Sequence, residues 1–168
     1  MNKRNIVLVG FMGTGKSTVG RLLAARLGMT FLDMDTLIEE REQKKISRIF
    51  ADQGEPHFRA LERSLARELS EEQGLVIAAG GGIVMNPENI ADLSRAGLVV
   101  CLCATPEELL KRISGEGHRP LLEGDDKSAR IIKILESRRQ LYAAIPQQID
   151  TTALSPDQVA DRIVEMAG

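Results

Sequence analysis

Cysteine is scarce in this chain of 168 residues, which holds two, Cys101 and Cys103. They stand two apart in the apolar run Leu98-Val99-Val100-Cys101-Leu102-Cys103-Ala104, which suits a buried parallel strand rather than a disulfide or a metal pair. No cluster of side chains has metal-ligand spacing. An excess of charge of one sign is missing as well: 22 Lys and Arg stand against 24 Asp and Glu, for a net charge of −2. That leaves no basic field for duplex DNA or anionic lipid, so nucleic acid and membrane are not expected partners, and a small phosphorylated ligand suits the chain better. Internal repeats and low-complexity linkers are absent. With 43% hydrophobic residues, the length fits one domain with a single core. The apolar stretch after Met1-Asn2-Lys3-Arg4 has the look of a signal peptide, but it runs into Gly13-Thr14-Gly15-Lys16 with no cleavage-like site and reads as a strand. The expected location is the cytoplasm. No N-K-x-D or T-K-x-D run is present to read guanine, which argues against a GTPase-like switch.

What is present begins with Gly10-Phe11-Met12-Gly13-Thr14-Gly15-Lys16-Ser17, which spells G-x-x-x-x-G-K-S. It follows the apolar run Ile6-Val7-Leu8-Val9 and precedes the helical pattern Thr18 to Leu27. In that context the glycines let backbone N–H groups turn inward around a polyphosphate, and the helix presents its positive end to the same anion. Lys16 then reaches the β- and γ-phosphates and the Ser17 hydroxyl meets Mg²⁺. A turn that binds nothing needs neither the lysine nor the hydroxyl.

Strand and helix signals alternate along the rest of the chain, which predicts a parallel sheet with helices on both faces. Strands are expected at Asn5 to Val9, Thr30 to Asp33, Leu75 to Ala79, Leu98 to Ala104 and, more weakly, Gln147 to Asp150. Three helices announce themselves by a capping residue, a proline and an acid: Asn86-Pro87-Glu88, Thr105-Pro106-Glu107 and Ser155-Pro156-Asp157. Two segments break the rhythm. Ile46 to Glu72 is long and helical with Gly54-Glu55-Pro56 interrupting it, and Ser114 to Asp126 is rich in glycine and charge. In an open α/β sheet the ligand lies beyond the carboxyl ends of the strands, where such insertions form an acceptor site and a closing flap that excludes water.

The polar residues at those strand ends narrow the chemistry. Asp33 and Asp35 both reach one cleft edge only if the chain is already turning into a helix there. One carboxylate then serves the Mg²⁺ shell while the other orients or deprotonates an acceptor hydroxyl; the alternative is a plain helix start capped by Asp35. Arg59, Arg119 and Arg138 lie in or beside the inserted segments, where arginines grip an acceptor carboxylate through forked bonds or, for Arg119 in the flap, fold over the phosphates. Gly80-Gly81-Gly82 offers a place where backbone approaches a small ligand closely.

Taken in order and spacing, Gly10 to Gly20, Phe31-Leu32-Asp33-Met34-Asp35, Gly54-Glu55 with Phe58-Arg59-Ala60-Leu61-Glu62, Gly80-Gly81-Gly82, Arg119-Pro120-Leu121-Leu122 and Arg138 with Leu141-Tyr142 resemble shikimate kinase. The likeness runs from about Ile6 to Asp150, and the combination is far more specific than the phosphate loop alone. It implies a nucleoside-monophosphate-kinase-like, three-layer α/β fold with a central parallel sheet of about five strands and helices on both faces. It also implies a single domain over 1–168, with an acceptor-binding insertion at about 34–62 and an inserted lid at about 114–126. The implied reaction is transfer of the γ-phosphate of ATP to the 3-hydroxyl of shikimate with Mg²⁺, in chorismate and aromatic amino-acid biosynthesis. Carried over by position, Asp35, Arg59, Gly80, Gly81, Gly82 and Arg138 bind shikimate; Gly13, Thr14, Gly15, Lys16, Ser17, Thr18 and Arg119 bind ATP; Ser17 holds Mg²⁺, with Asp33 helping through water. The segment Asp150 to Pro156 lacks the arginine that some members place near the adenine, so that contact is expected from Arg112; His118, beside Arg119, receives no role.

Lys16, Asp35 and Arg119 are the expected catalytic residues of a direct in-line transfer with no phospho-enzyme. A nucleoside monophosphate kinase would set Asp35 against an acceptor phosphate, which is repulsive, so a carboxylate-bearing or uncharged polyol is the better acceptor. Gluconate kinase is the rival on that ground, and a catalytically silent nucleotide-binding module is the non-enzymatic alternative. A monomer is expected, since no helix shows a second apolar stripe.

Overall fold

The computed structural model describes residues 3–114 and 127–168. The expected lid at about 114–126, with His118 and Arg119, therefore lies outside the described residues save for Ser114. The chain opens with β1 (Asn5–Val9), passes through the glycine-rich loop into α1 (Lys16–Leu27), and continues with β2 (Thr30–Asp33), α2 (Met34–Glu42) and α3 (Ile46–Ser70). After β3 (Leu75–Ala78) comes a short 3₁₀ turn over Ile83–Met85, then α4 (Pro87–Ala96), β4 (Gly97–Cys103) and α5 (Pro106–Ser114). The remaining elements are α6 (Lys127–Ala143), β5 (Gln147–Asp150) and α7 (Pro156–Ala167). The strands form one five-stranded sheet in the order β2-β3-β1-β4-β5, with every pair parallel. The expected strands are all present; β3 stops one residue earlier than its apolar run, and β4 starts and ends one residue earlier.

Alternation along the central strands divides the interior into two apolar layers. Ile6, Leu8, Val76, Val100 and Leu102 pack with Val19 and Leu23 of α1 and Val159 and Ile163 of α7. Val7, Val9, Ile77, Val99 and Cys101 point to the other face, against residues of α2 to α6 such as Ile38, Leu65, Leu93, Leu109 and Ile131. Successive side chains of a strand leave on opposite faces, so a strand covered on both sides is apolar throughout. β1 and β3 are buried at every position.

The three predicted helix starts form as written. Asn86 accepts from Glu88 N, Thr105 Oγ1 accepts from Glu108 N, and Ser155 makes a full capping box with Gln158, each ahead of a proline in the first turn. The interruption expected at Gly54-Glu55-Pro56 is a kink inside α3, where Gly54 takes φ 82° and ψ 168°. Arg59 and Glu62 lie just beyond that kink, with their side chains against the turn at Gly80 to Gly82 that follows β3.

Candidate active site

The loop between β1 and α1 carries most of the nucleotide expectations. Gly10 has φ 143°, and a Cβ there would stand 2.3 Å from the carbonyl oxygen of Leu102 on the neighbouring strand, so only glycine lets the loop leave the sheet edge at that angle. Gly15 is the left-handed residue that starts α1. Thr14 is buried and donates its hydroxyl to Phe11 O at 2.8 Å, which ties the loop across itself. The Lys16 ammonium folds back to donate to Gly10 O at 2.7 Å and Phe11 O at 2.9 Å. Thr18 lies in the first turn of α1. Arg112 reaches this loop from α5: it donates to Gly13 O at 3.3 Å and, on the other side, to Thr151 Oγ1 at 3.0 Å and Thr151 O at 2.9 Å. Glu108 accepts from its Nε at 3.0 Å.

The two acids after β2 separate as the turn into α2 demands. Asp33 is the N-cap of α2, accepting from Thr36 N through Oδ1 at 3.1 Å, while its Oδ2 accepts from the Ser17 hydroxyl at 2.6 Å. The capping alternative weighed for Asp35 thus falls to Asp33, because the helix begins two residues earlier than a cap at Asp35 would place it, at Met34. Asp35 instead lies in the first turn, where its Oδ1 stands 2.7 Å from the place a Cβ on Gly80 would occupy.

The triple-glycine turn after β3 collects the remaining groups. A Cβ on Gly82 would lie 2.3 Å from Arg59 Nη1, and one on Gly80 would lie 3.0 Å from Glu62 Oε2. At Gly81 the nearest neighbours of a Cβ are Arg138 Nη1 at 3.5 Å and, from the phosphate loop, Gly10 O and Met12 N at 3.9 Å. Backbone closeness was expected here for a ligand; the structure adds that the chain's own acid and arginine side chains fill the room left by Gly80 and Gly82. Asp35, Arg59, Gly80 to Gly82 and Arg138 are therefore brought together from α2, α3, α6 and the turn after β3.

Glu62 and Tyr142 were part of the motif pattern without any assigned role. Glu62 is 2% exposed, and Arg59 donates to its Oε1 at 2.9 Å. Burial pushes its carboxyl above the usual range; Arg59 pulls it back, Asp35 pushes it up further, and Arg138 pulls it down. On the outer side Glu55 accepts from Arg59 Nη2 at 3.2 Å and Nε at 3.3 Å, so the guanidinium is gripped between two acids. Burial works against the Arg59 charge, but the two carboxylates outweigh it and raise its pKa. The one signal in the sequence was the spacing of Arg59 and Glu62, three apart on a helix.

The cleft thus offers two guanidinium groups and the Asp35 carboxylate beside a phosphate loop. Chemically, two guanidinium groups can grip a carboxylate and a lone carboxylate can accept from a hydroxyl, so the set suits a small acceptor carrying both. For a divalent cation, Ser17 and Asp33 supply an oxygen pair already in contact, which fits Mg²⁺, an ion usually held by one or two protein groups with the rest from phosphate and water. Among the described residues, no three His, Cys, Asp or Glu side chains gather as a metal cage, and no helix is long and apolar enough to cross a membrane.

Comparison with known proteins agrees with this geometry. The family model for shikimate kinase matches residues 12–167. A shikimate kinase of Geobacter metallireducens is 50% identical over 165 residues, covering 98% of this chain and 90% of the relative. Among solved structures, shikimate kinase from Acinetobacter baumannii in complex with shikimate aligns with a TM-score of 0.91 at 36% identity, covering 98% of this chain and 92% of that one. A gluconokinase from Sinorhizobium meliloti aligns at 0.61 with 18% identity, covering 98% and 91%, a likeness of fold alone.

Proposed function

We propose how donor and acceptor meet in this chain from one premise: the chain belongs to the shikimate kinase family. Its reaction is the ATP-dependent phosphorylation of the 3-hydroxyl of shikimate to shikimate 3-phosphate, within chorismate and aromatic amino-acid biosynthesis. The observation that carries the residue-level reading is the convergence of Asp35, Arg59 and Arg138 on Gly80 to Gly82, next to the backbone of Gly10 and Met12.

In this reading the shikimate carboxylate lies between Arg59 and Arg138 and along Gly80, Gly81 and Gly82, while Asp35 accepts from the attacking hydroxyl and turns its lone pair toward the γ-phosphate. The loop amides of Gly13, Thr14 and Gly15, with Ser17 and Thr18 at the start of α1, hold the ATP phosphates. Lys16 leaves the carbonyls of Gly10 and Phe11 for the β- and γ-phosphates, where its charge favours the in-line transition state. Mg²⁺ bound with the nucleotide would supply neutralisation of phosphate charge, and Ser17, with Asp33 helping through water, would hold it. Arg112, anchored between Gly13 and Thr151, is the residue for the base side of the nucleotide, and Arg119, outside the described residues, is assigned to the phosphates from the lid at about 114–126. The rest of 1–168 forms one domain with residues of about 34–62 on the acceptor side. We place the enzyme in the cytoplasm, where ATP is available and free thiols such as Cys101 and Cys103 persist, and as a monomer.

The experiment is an ADP-release assay with ATP and Mg²⁺, run with shikimate, gluconate, a panel of nucleoside monophosphates and no acceptor. Release with shikimate alone is expected; release with gluconate would move the acceptor assignment.

A further inference from the structure

The only tyrosine of the chain, Tyr142, belongs to no step of the reaction, yet its position on α6 ties the acceptor cleft together. Its ring is 7% exposed, and its hydroxyl donates to the carbonyl of Gly81 at 2.5 Å, 61 residues away in sequence. Arg138 lies one helical turn earlier on the same face of α6, and its Nη1 stands 3.5 Å from where a Cβ on Gly81 would be. The middle glycine is thus held at its carbonyl by the phenol and faced on its open side by the guanidinium, and Arg138 is itself hydrogen-bonded to the phenol. A second pin acts further along the turn, where the buried Asn89 donates to Ile83 O at 3.1 Å.

We infer that Tyr142 is a positioning residue for shikimate: its hydroxyl holds the Gly81 carbonyl and so fixes the distance between the triple-glycine turn and Arg138. Burial pushes the phenol above its usual pKa even though Arg138 favours the ionised form, so the group stays a hydrogen-bond donor throughout the working range of pH. Without the hydroxyl the half-buried Gly81 carbonyl loses its partner, and both the turn and Arg138 gain freedom that acceptor binding must then remove. Gly81 also faces Gly10 O and Met12 N of the phosphate loop, each 3.9 Å from where its Cβ would be, but the group that Tyr142 holds is the Gly81 carbonyl and the arginine beside it is Arg138, so the larger effect falls on the acceptor.

The inference rests on the shikimate reading, and the two fail differently. Tyr142→Phe keeps the ring and removes only the hydroxyl. Steady-state kinetics with each substrate varied should show KM for shikimate raised about tenfold, with KM for ATP within about twofold of the unmodified enzyme. A lowered Tm with both KM values unchanged, or with both raised equally, would overturn the positioning role while leaving the unmodified enzyme's shikimate-dependent ADP release intact. Absence of that release in the unmodified enzyme would instead sink the acceptor assignment. Should Tyr142→Phe not fold, the unmodified protein still decides the matter, because it has one tyrosine and no tryptophan. Its fluorescence should change saturably with shikimate and little with ATP alone; a signal indifferent to shikimate in an enzyme that still releases ADP with it would overturn the inference.

Discussion

The Ser17 hydroxyl donates a 2.6 Å hydrogen bond to Asp33 Oδ2, joining the first turn of α1 to the end of β2. The same carboxylate caps α2 through its other oxygen, so one side chain serves a helix start and the cation-binding edge together. Substitutions separate the two tasks. Asp33→Asn keeps a good cap but loses the charge, so it should fold normally and require about tenfold more Mg²⁺ for half-maximal turnover. Asp33→Ala should show the same shift and lose about 1 kcal/mol of stability as well. Magnesium titration of turnover and urea denaturation together check both; equal stability of the two variants would contradict the capping role. Chelation of Mg²⁺ should silence the unmodified enzyme.

Lys16 and Asp35 should fail in different ways. Lys16→Ala removes charge from the transferring group and should lower kcat by about 10³-fold with the acceptor KM little changed. Asp35→Asn should retain nucleotide binding, seen with a fluorescent ATP analogue, and lose acceptor-dependent ADP release. An Asp35→Asn enzyme with unaltered shikimate kinetics would remove the role given to that carboxylate.

Arg59→Met should be costly in a pH-dependent way. The folded protein holds the Glu62 carboxyl above its unfolded value, so the stability this group contributes is present below the ordinary carboxylate range and is lost as pH rises through the raised value. Taking away Arg59 removes the strongest opposing charge and raises it further. The variant should lose on the order of 3 kcal/mol near neutral pH, where Glu62 is charged and buried, and less on acidification. Urea melts at two pH values measure this, and an equal loss at both would show that Glu62 is not the group responsible.

The thiols should be sluggish. Burial pushes Cys101 up to about 12, and the half-buried Cys103 is raised too. Only the thiolate reacts, so at about pH 8 roughly 10⁻⁴ of Cys101 is available at any moment. Titration of the native protein with a disulfide reagent should consume Cys103 slowly and Cys101 only after denaturant is added. Cys101→Ser should change stability and leave turnover unaltered; two fast thiols in the native state would contradict the packing of β4.

The parts of the fold legible in the sequence are those whose causes are local. The glycine-rich loop, the proline-marked starts of α4, α5 and α7 and the apolar strands each depend on residues within a turn or two of one another. The acceptor cleft was legible only in outline. That Asp33 and Asp35 share an edge follows from their spacing, but which of them caps α2 depends on where β2 ends against β3. Glu62 reads in the sequence as one more acid on an amphipathic helix, and its burial arises only because α3 brings it against a turn 18 residues further on. Likewise the glycine run signals close approach without saying that Asp35 and Arg59 are among the groups approaching.

The pairing of β1 with β3 has a consequence for reach. Leu8 lies beside Ala78, and Ala79 N donates to Leu8 O at 3.0 Å, so the nucleotide loop and the acceptor turn depart from neighbouring rungs of one ladder. A shift of that pairing by one residue would move the two loops by about 3.3 Å and exchange the side chains that fill the two apolar layers, and a shift of two would double the step. The span that the phosphoryl group crosses is therefore graduated like a ruler, set by counting residues along two adjacent strands.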